Sequence, residues 1–396
     1  MYLNTVIVLV VNLKTLFEVA AMGFFRLLFA FTVVLTHTEH IYGYLFGNPV
    51  VAVRSFFMIS GFYMAMVLTE KYKAYKPFIL SRFLRIYPIY WVILILTVLA
   101  SFLAYFVSGS WGELRTLAAN INQINPITFG YLLISHITIY GRGVLSFLTF
   151  DSITGFFTAA TVQSGGVDAP SFLLVPQAWT VALELLFYLI APLVVRKSTV
   201  FIFLLAAISL VVRYALLCSG FNTVAWNYFF FPSELVFFLM GILAYRGYKM
   251  IKFGERCSKT IGLVSSVILA AYLAFYGLLV INGPFSMRIF SVIPEKEILF
   301  YFLFWLALPF IFILSRKSTF DRTIGDLSYP VYISHILIWT LFYPKVFSAL
   351  NIDKSYAGII AFGLTVCFSV LLNRFVQKPI DQYRRKFSAT SKKIVN

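Results

Sequence analysis

Ten apolar runs, each near 20 residues and separated by short polar stretches, leave this chain few ways to fold. They cover approximately 24–45, 50–69, 86–107, 177–195, 199–217, 227–246, 259–281, 298–315, 328–349 and 356–377. A helix of about 20 residues crosses the hydrocarbon of a bilayer. In lipid, every backbone N–H and C=O must be paired within the protein, so only helices or a closed barrel are stable there. Long apolar runs select helices. Of the 396 residues 61% are hydrophobic and only 12% charged, whereas soluble domains carry roughly 25% charged residues. The chain therefore reads as an all-α polytopic membrane protein of about ten transmembrane helices. Its 44 Phe and 24 Tyr are expected largely at lipid-facing and interfacial positions.

The charges give the runs a direction. Most of the 32 Lys and Arg fall on one side: Lys71 to Arg85, Arg196 and Lys197, Arg246 to Lys259, Arg316 to Arg322, and Arg374 to Lys393. Arg54, Arg115, Arg142, Arg213, Arg288, Lys296, Lys345 and Lys354 fall on the other. Basic loops stay in the cytoplasm, so both termini are expected there, and an even number of spans agrees. The net charge of +17 sits in short loops between spans, which argues against a nucleic-acid partner and for contact with membrane lipid. Cys218, Cys257 and Cys367 have neither metal-ligand spacing nor a disulfide pattern, and no metal site is expected. Residues 1–23 read as an N-terminal extension, with Met22 an alternative start. Residues 24–381 read as the transmembrane domain and 382–396 as a basic cytoplasmic tail.

One connection breaks the rhythm. Residues 108–176 form a long outer segment, and its apolar run Ile127–Tyr140 is too short to span comfortably. A re-entrant or surface helix is expected there. The stretch Gln163–Pro170 reads as a turn-rich loop.

Ionisable residues within apolar runs are the candidates for chemistry, because a charge in hydrocarbon must face the protein interior. Arg26 and His37 lie eleven residues apart in the first run. At about 100° per residue they share one helical face, separated by about 16 Å along the axis. His37, in the outer half, suits general-base work near neutral pH. A buried histidine bonded to a neighbouring helix is its plainer reading, and a snorkelling anchor is that of Arg26. Glu39 and His40 lie off the face of His37.

Glu184 stands alone in the fourth run at about the depth of His37. It is the leading partner for that histidine, with Glu234 a competing one. Arg82 and Arg85, three residues apart before Tyr87 and Pro88, suit a phosphate-bearing ligand with a ring that can stack. Attraction to anionic lipid is the simpler reading. Pro88 fits the start of the third span. Ser60-Gly61 reads as a helix-packing pair, and Arg54 as an interface anchor or a substrate contact. In the ninth run Asp326 or Ser328 fits a helix cap. His335 falls in the inner half, with a hydrogen-bonded structural role favoured.

Together these motifs resemble the membrane acyltransferase 3 family. They are Arg26-x10-His37, Phe56-Phe57-x-x-Ser60-Gly61-Phe62, Arg82-x-x-Arg85-x-Tyr87-Pro88 and Trp179-Thr180-x-x-x-Glu184-x-x-Phe187-Tyr188, then Gly325-Asp326-x-Ser328-Tyr329-x-x-Tyr332-x-x-His335 and Lys378-Pro379-Ile380-Asp381. The last departs from the family's usual Glu-x-Pro ending. The resemblance covers residues 24–381 and looks like the stand-alone form, without a fused extracytoplasmic hydrolase-like domain.

The resemblance implies an O-acyltransferase of a bacterial inner membrane. Its donor would be a cytoplasmic acyl-CoA, most often acetyl-CoA, used as a substrate with no bound cofactor. Its acceptor would be a hydroxyl of an extracytoplasmic glycan or exported sugar. On this reading His37 and Glu184 are catalytic, and Arg26, Arg82, Arg85, Tyr87 and Trp179 bind substrate. A transporter of a small anionic or lipid-linked solute is the alternative, although no paired repeats or broken helices are evident.

Overall fold

The computed structural model describes residues 22–38, 44, 46–159, 166–221, 223–279, 294–343, 346, 349–351 and 353–383. Most of the expected extension, Glu39, His40 and most of the basic tail lie outside the described residues. The ten apolar runs each contain a helix: α1 (Met22–His37), α2 (Pro49–Glu70), α3 (Tyr75–Ser108), then α7 (Trp179–Val194), α8 (Thr199–Cys218), α9 (Phe231–Met250), α10 (Glu255–Ala274), α11 (Glu295–Ser315), α12 (Thr319–Phe342) and α13 (Lys354–Leu372). Between α3 and α7 lie three shorter helices, α4 (Arg115–Asn120), α5 (Pro126–Thr138) and α6 (Arg142–Leu145).

Eight helices among the described residues are long and apolar enough to cross a membrane. The other two of the ten fall short for different reasons. α1 has 16 residues, about 24 Å of helix. α12 has 24 residues but carries Asp321, Arg322 and Asp326 in its first turns. The molecule is an all-α polytopic membrane protein.

Two helix starts differ from expectation. α3 begins at Tyr75, so Pro88 lies inside the helix and not at its start. α12 begins at Thr319, where the Ser318 hydroxyl accepts from Asp321 N at 3.1 Å. Asp326, Ser328 and Pro330 are therefore interior to α12 and cap nothing. Proline removes one donor and frees a carbonyl in mid-helix. Hydroxyls satisfy carbonyls nearby: Ser328 donates to Gly325 O at 2.7 Å and Ser334 to Pro330 O at 2.7 Å.

Two close crossings hold the bundle. α2 meets α9 at Gly61 and Gly241. A Cβ on Gly61 would fall 1.9 Å from the Phe238 carbonyl oxygen, and one on Gly241 2.0 Å from that of Met58. α1 meets α12 at Gly23, where a Cβ would fall 1.9 Å from Asp321 O. The Asp321 carboxylate in turn accepts from Gly23 N at 2.9 Å and Phe24 N at 3.1 Å. One helix thus caps the free N–H groups of the other. Packing without a strong hydrophobic drive needs such contact between backbones. Aromatic rings fill the core more than expected: Phe25, Phe29, Phe62, Phe187, Phe238 and Phe300 are fully buried, and Phe238 stacks between Phe57 and Phe187 with centroids 4.5 and 4.3 Å away.

Opposite the Lys- and Arg-rich end, four helices share a buried ionic knot. Arg54 Nη2 meets Glu234 Oε1 at 2.9 Å, Arg213 Nη2 meets the same oxygen at 2.8 Å, and Arg54 Nη1 lies 3.8 Å from Glu297 Oε2. Two cations against two carboxylates leave it neutral, as burial requires. Arg54 and Glu234 are therefore partners of each other. Glu234 is not a partner of His37, and Arg54 is not an interface anchor.

The outer segment folds as a unit on α3. α5 is capped by Asn125 and begins with Pro126. A small sheet follows, with β1 (Leu148–Phe150) paired antiparallel to β2 (Phe157–Ala159) and to β3 (Val167–Asp168). The last carbonyls of α5 have no partner within the helix. Three side chains of α3 supply them: Tyr90 donates to His136 O at 2.5 Å, Trp91 Nε1 to Ile137 O at 2.9 Å, and Tyr87 to Thr138 O. These residues lie about 18–24 Å along α3 from its start, so α5 ends beside the middle of that helix. The fully buried Arg142 ties the segment to the approach of α7, donating to Ser135 O at 3.2 Å, Val175 O at 2.6 Å and the Tyr90 hydroxyl at 2.5 Å. His136 receives Leu174 N on Nε2 at 3.1 Å, and burial holds its pKa down to about 4.

Candidate active site

A cavity of about 530 Å³ runs up the interior from the basic end. Its mouth carries Ser318 and the exposed Arg316 and Arg322. Its walls come from six helices, α11 adding Phe312 and Ser315. α1 contributes Arg26, α2 Ser60 and Tyr63, α3 Arg82 and Arg85, α7 Thr180, Glu184 and Tyr188, and α12 Asp326, Tyr329 and Tyr332. From Arg322 to Tyr332 the cavity follows α12 for ten residues, about 15 Å. Arg26, Arg82, Arg85 and Glu184, expected in the sequence to bind or act on substrate, thus meet around one space.

Their charges are unequally matched. Arg85 Nη2 is paired with Asp326 Oδ1 at 3.0 Å. Arg82 Nη2 donates to Ser81 Oγ at 3.3 Å, and its Nε is buried without a partner among the described residues. No hydrogen bond or ion pair holds the Arg26 guanidinium among the described residues. Glu184 does not meet His37. Its carboxylate accepts from Ser60 Oγ at 2.7 Å and from the Tyr188 hydroxyl. The expected pairing fails because Glu184 lies along the cavity wall, level with Ser60. The result is a partly enclosed space with donors in excess, suited to an anion.

The histidine stands beyond the cavity. His37 is the last residue of α1 and is exposed. Its Nδ1 lies 2.9 Å from Val33 O. Its ring neighbour is His335, with centroids 5.1 Å apart and planes inclined at 56°. His335 is 1% exposed, with Nδ1 2.6 Å from Tyr332 O. The two histidines are at one depth, and His335 is not in the inner half. It lies 16 residues, about 24 Å, into a helix that starts at Thr319. Counted from residue 328, where the apolar run begins, the same residue falls only about 10 Å in.

Tyr332 joins the two places. It lines the far end of the cavity, its hydroxyl receives Thr180 Oγ1 at 2.9 Å and donates to Gln177 O at 3.1 Å, and its ring centroid is 6.0 Å from that of His335. Gln177 Nε2 also donates to Ile333 O at 2.6 Å. The start of α7 is thereby fixed against the histidine-bearing turn of α12.

Tyr87 and Trp179 are elsewhere. Tyr87 stacks on Phe83 at 4.4 Å and bonds the end of α5. Trp179 packs edge to face against Tyr228 and Phe229, at 4.6 and 4.2 Å. Neither lines the cavity. Among the described residues no three His, Cys, Asp or Glu side chains gather as a metal site would need. The sequence singles out His335 and places Tyr332 in its motif, but it puts neither beside His37 and does not single out Tyr63. The signal for two of them is their spacing: residues 332 and 335 are three apart and share a helical face.

A family model described as an acyltransferase domain matches residues 19–374. No curated protein and no solved structure matches the chain.

Proposed function

Because the chain belongs to this acyltransferase family and is a multi-pass membrane acyltransferase, we propose that it carries an acyl group from a coenzyme A thioester at its basic end to a hydroxyl at the opposite end. The basic end is cytoplasmic on this reading, following the asymmetry of Lys and Arg, and the membrane is a bacterial plasma membrane. The acyl group is acetyl, and the acceptor is an extracytoplasmic glycan or an exported sugar.

One observation carries the reading. The arginine-lined cavity begins at the basic end and stops at Tyr332, one helical turn from the facing histidines. Donor phosphates are held at the mouth and by Arg26 and Arg82, the guanidiniums with donors to spare. Arg85, already paired with Asp326, shapes the wall. Glu184 offsets part of the positive charge and keeps Ser60 and Tyr188 oriented. The thioester end extends past Thr180 and Tyr332 towards His37.

A backbone carbonyl can only accept, so the His37 nitrogen facing Val33 O bears the proton and Nε2 keeps its lone pair. That nitrogen is the base. It takes the proton of the acceptor hydroxyl as the oxygen bonds to the acyl carbon. The C–S bond breaks, sulfur leaves with the electron pair, and His37 returns the proton to it. Ester and free thiol are the products.

Reconstitution in vesicles with labelled acetyl-CoA and extracted cell-surface glycan tests this. Label should enter the glycan with the wild-type protein and not with His37→Ala, while both insert equally. Solute uptake with no covalent change, or full labelling by His37→Ala, would overturn it.

A further inference from the structure

The carboxylate of Glu184 is out of place in a cavity suited to an anion. It repels a phosphate, so the part of a ligand beside it must be uncharged and must bring a hydrogen-bond donor. Its two oxygens differ. Ser60 Oγ donates to Oε1 at 2.7 Å, and the Tyr188 hydroxyl donates to the same oxygen. Oε2 receives no hydrogen bond among the described residues and is not sealed off from the cavity that Glu184 lines. The walls around it have no donor left to give. Ser328 donates to Gly325 O at 2.7 Å and Tyr329 to Ile86 O at 2.9 Å, while Thr180 donates to the Tyr332 hydroxyl and that hydroxyl to Gln177 O. The cavity thus changes character along its length. Guanidiniums donate towards the basic end, and beyond them the free group is an acceptor. A ligand that fits both parts is anionic at one end and carries an N–H or O–H further along.

Resting on the proposal that the donor is a coenzyme A thioester, we infer that Glu184 recognises the donor's pantetheine arm. Its Oε2 accepts from the N–H of the amide nearer the phosphates. The depth of Glu184 fits that group. Thr180 is level with Tyr332, to which it is bonded, and Glu184 lies four residues, about 6 Å, nearer the basic end. By helical rise it is about 10 Å short of the histidines and about 6 Å beyond Arg26. In the arm of coenzyme A the first amide follows the phosphates, and the second amide and the sulfur come after it. Phosphates held at Arg26 therefore bring the first N–H alongside Glu184 while the sulfur still has the distance to the histidines to cover. The bonds from Ser60 and Tyr188 hold the carboxylate, so that its free oxygen is set before the ligand arrives. A hydrogen bond to an ionised acceptor is among the stronger ones, and a nucleotide without the arm forgoes it.

Equilibrium binding to the detergent-purified protein tests this with three probes. They are coenzyme A, the same nucleotide without its pantetheine arm, and a coenzyme A analogue with a methylene in place of the first amide N–H. The wild-type protein is expected to bind the analogue about 10- to 100-fold more weakly than coenzyme A, the worth of one hydrogen bond to a charged group. In Glu184→Gln the amide oxygen takes the place of Oε1 between Ser60 and Tyr188, and the NH2 faces the arm. Coenzyme A and the analogue are then expected to bind within twofold of each other. The armless nucleotide should bind this variant at least as tightly as wild type, because a repelling charge is gone. An analogue that binds the wild-type protein as tightly as coenzyme A would overturn the inference, and that comparison needs no variant. An analogue that loses as much in Glu184→Gln as in wild type would overturn it too. Failure of both coenzyme A and the armless nucleotide to bind the wild-type protein would instead remove the coenzyme A reading itself.

Discussion

Among the described residues Arg26, like Arg82, lines the cavity with no counter-charge bonded to it, while Arg85 on α3 is already committed to Asp326. Arg26 and Arg85 should therefore respond differently to ligand. Arg26→Gln is expected to raise the acyl-CoA KM about 10- to 100-fold, the loss of one charge-assisted contact, and to leave kcat within a few-fold. An unchanged KM in steady-state assays would return Arg26 to a structural anchor. That Arg26 and Glu184 turn away from lipid was legible in the sequence, because each is a charge in an apolar run; that they share one space with Arg82 and Arg85, which precede the third run, was not. The pairings were not legible. Asp326 has the residue type and position of a cap, yet Ser318, eight residues earlier, takes that role. That shift moves His335 from the inner half to the side of His37. Tyr87 and Trp179 suit ligand stacking by composition, but an aromatic ring with one polar atom suits a helix end equally well.

At the scale of elements, the bundle depends on a few places where backbones touch. The α2–α9 crossing has no room for a side chain at Gly61, where a Cβ would meet the Phe238 carbonyl at 1.9 Å. Gly61→Ala is expected to cost about 1–3 kcal/mol, as overpacking does, seen as a lower melting temperature of the detergent-purified protein. A melting temperature equal to wild type would show that the helices can slide apart at no cost. The motif Ser60-Gly61 announced this crossing, because small residues have few other uses in an apolar helix. The outer segment was harder to read. Its strands have two or three residues each, too few for an alternating pattern to register. Its anchor, Arg142, looks in sequence like any loop arginine. Only the fold shows it spending its donors on backbone carbonyls of two distant stretches.

The whole molecule is polarised, and its thiols report the polarity. Cys218 ends α8 and Cys257 begins α10, so these exposed residues sit at opposite ends of the bundle. An impermeant maleimide added to intact cells is expected to label Cys218 and not Cys257, with the reverse in inverted vesicles. Labelling of Cys257 from outside would invert the proposed direction of transfer. The ten-helix architecture was legible because hydrocarbon thickness sets segment length almost independently of detail. Length alone was less informative for α1 and α12. The first is short and the second polar at its start, and these two carry the histidines.

That pair of helices is joined twice. Asp321 of α12 grips the first amides of α1, and His335 meets His37 at the other end. Between Arg26 and His37 the helix allows about 16 Å of rise, and a hydrogen-bonded helix cannot readily lengthen or shorten. The enzyme therefore carries a built-in ruler. On the proposed function, a thioester anchored by its phosphates near Arg26 would react only if its arm spanned that interval, so fragments of the donor would compete for the cavity yet fall short of the chemistry.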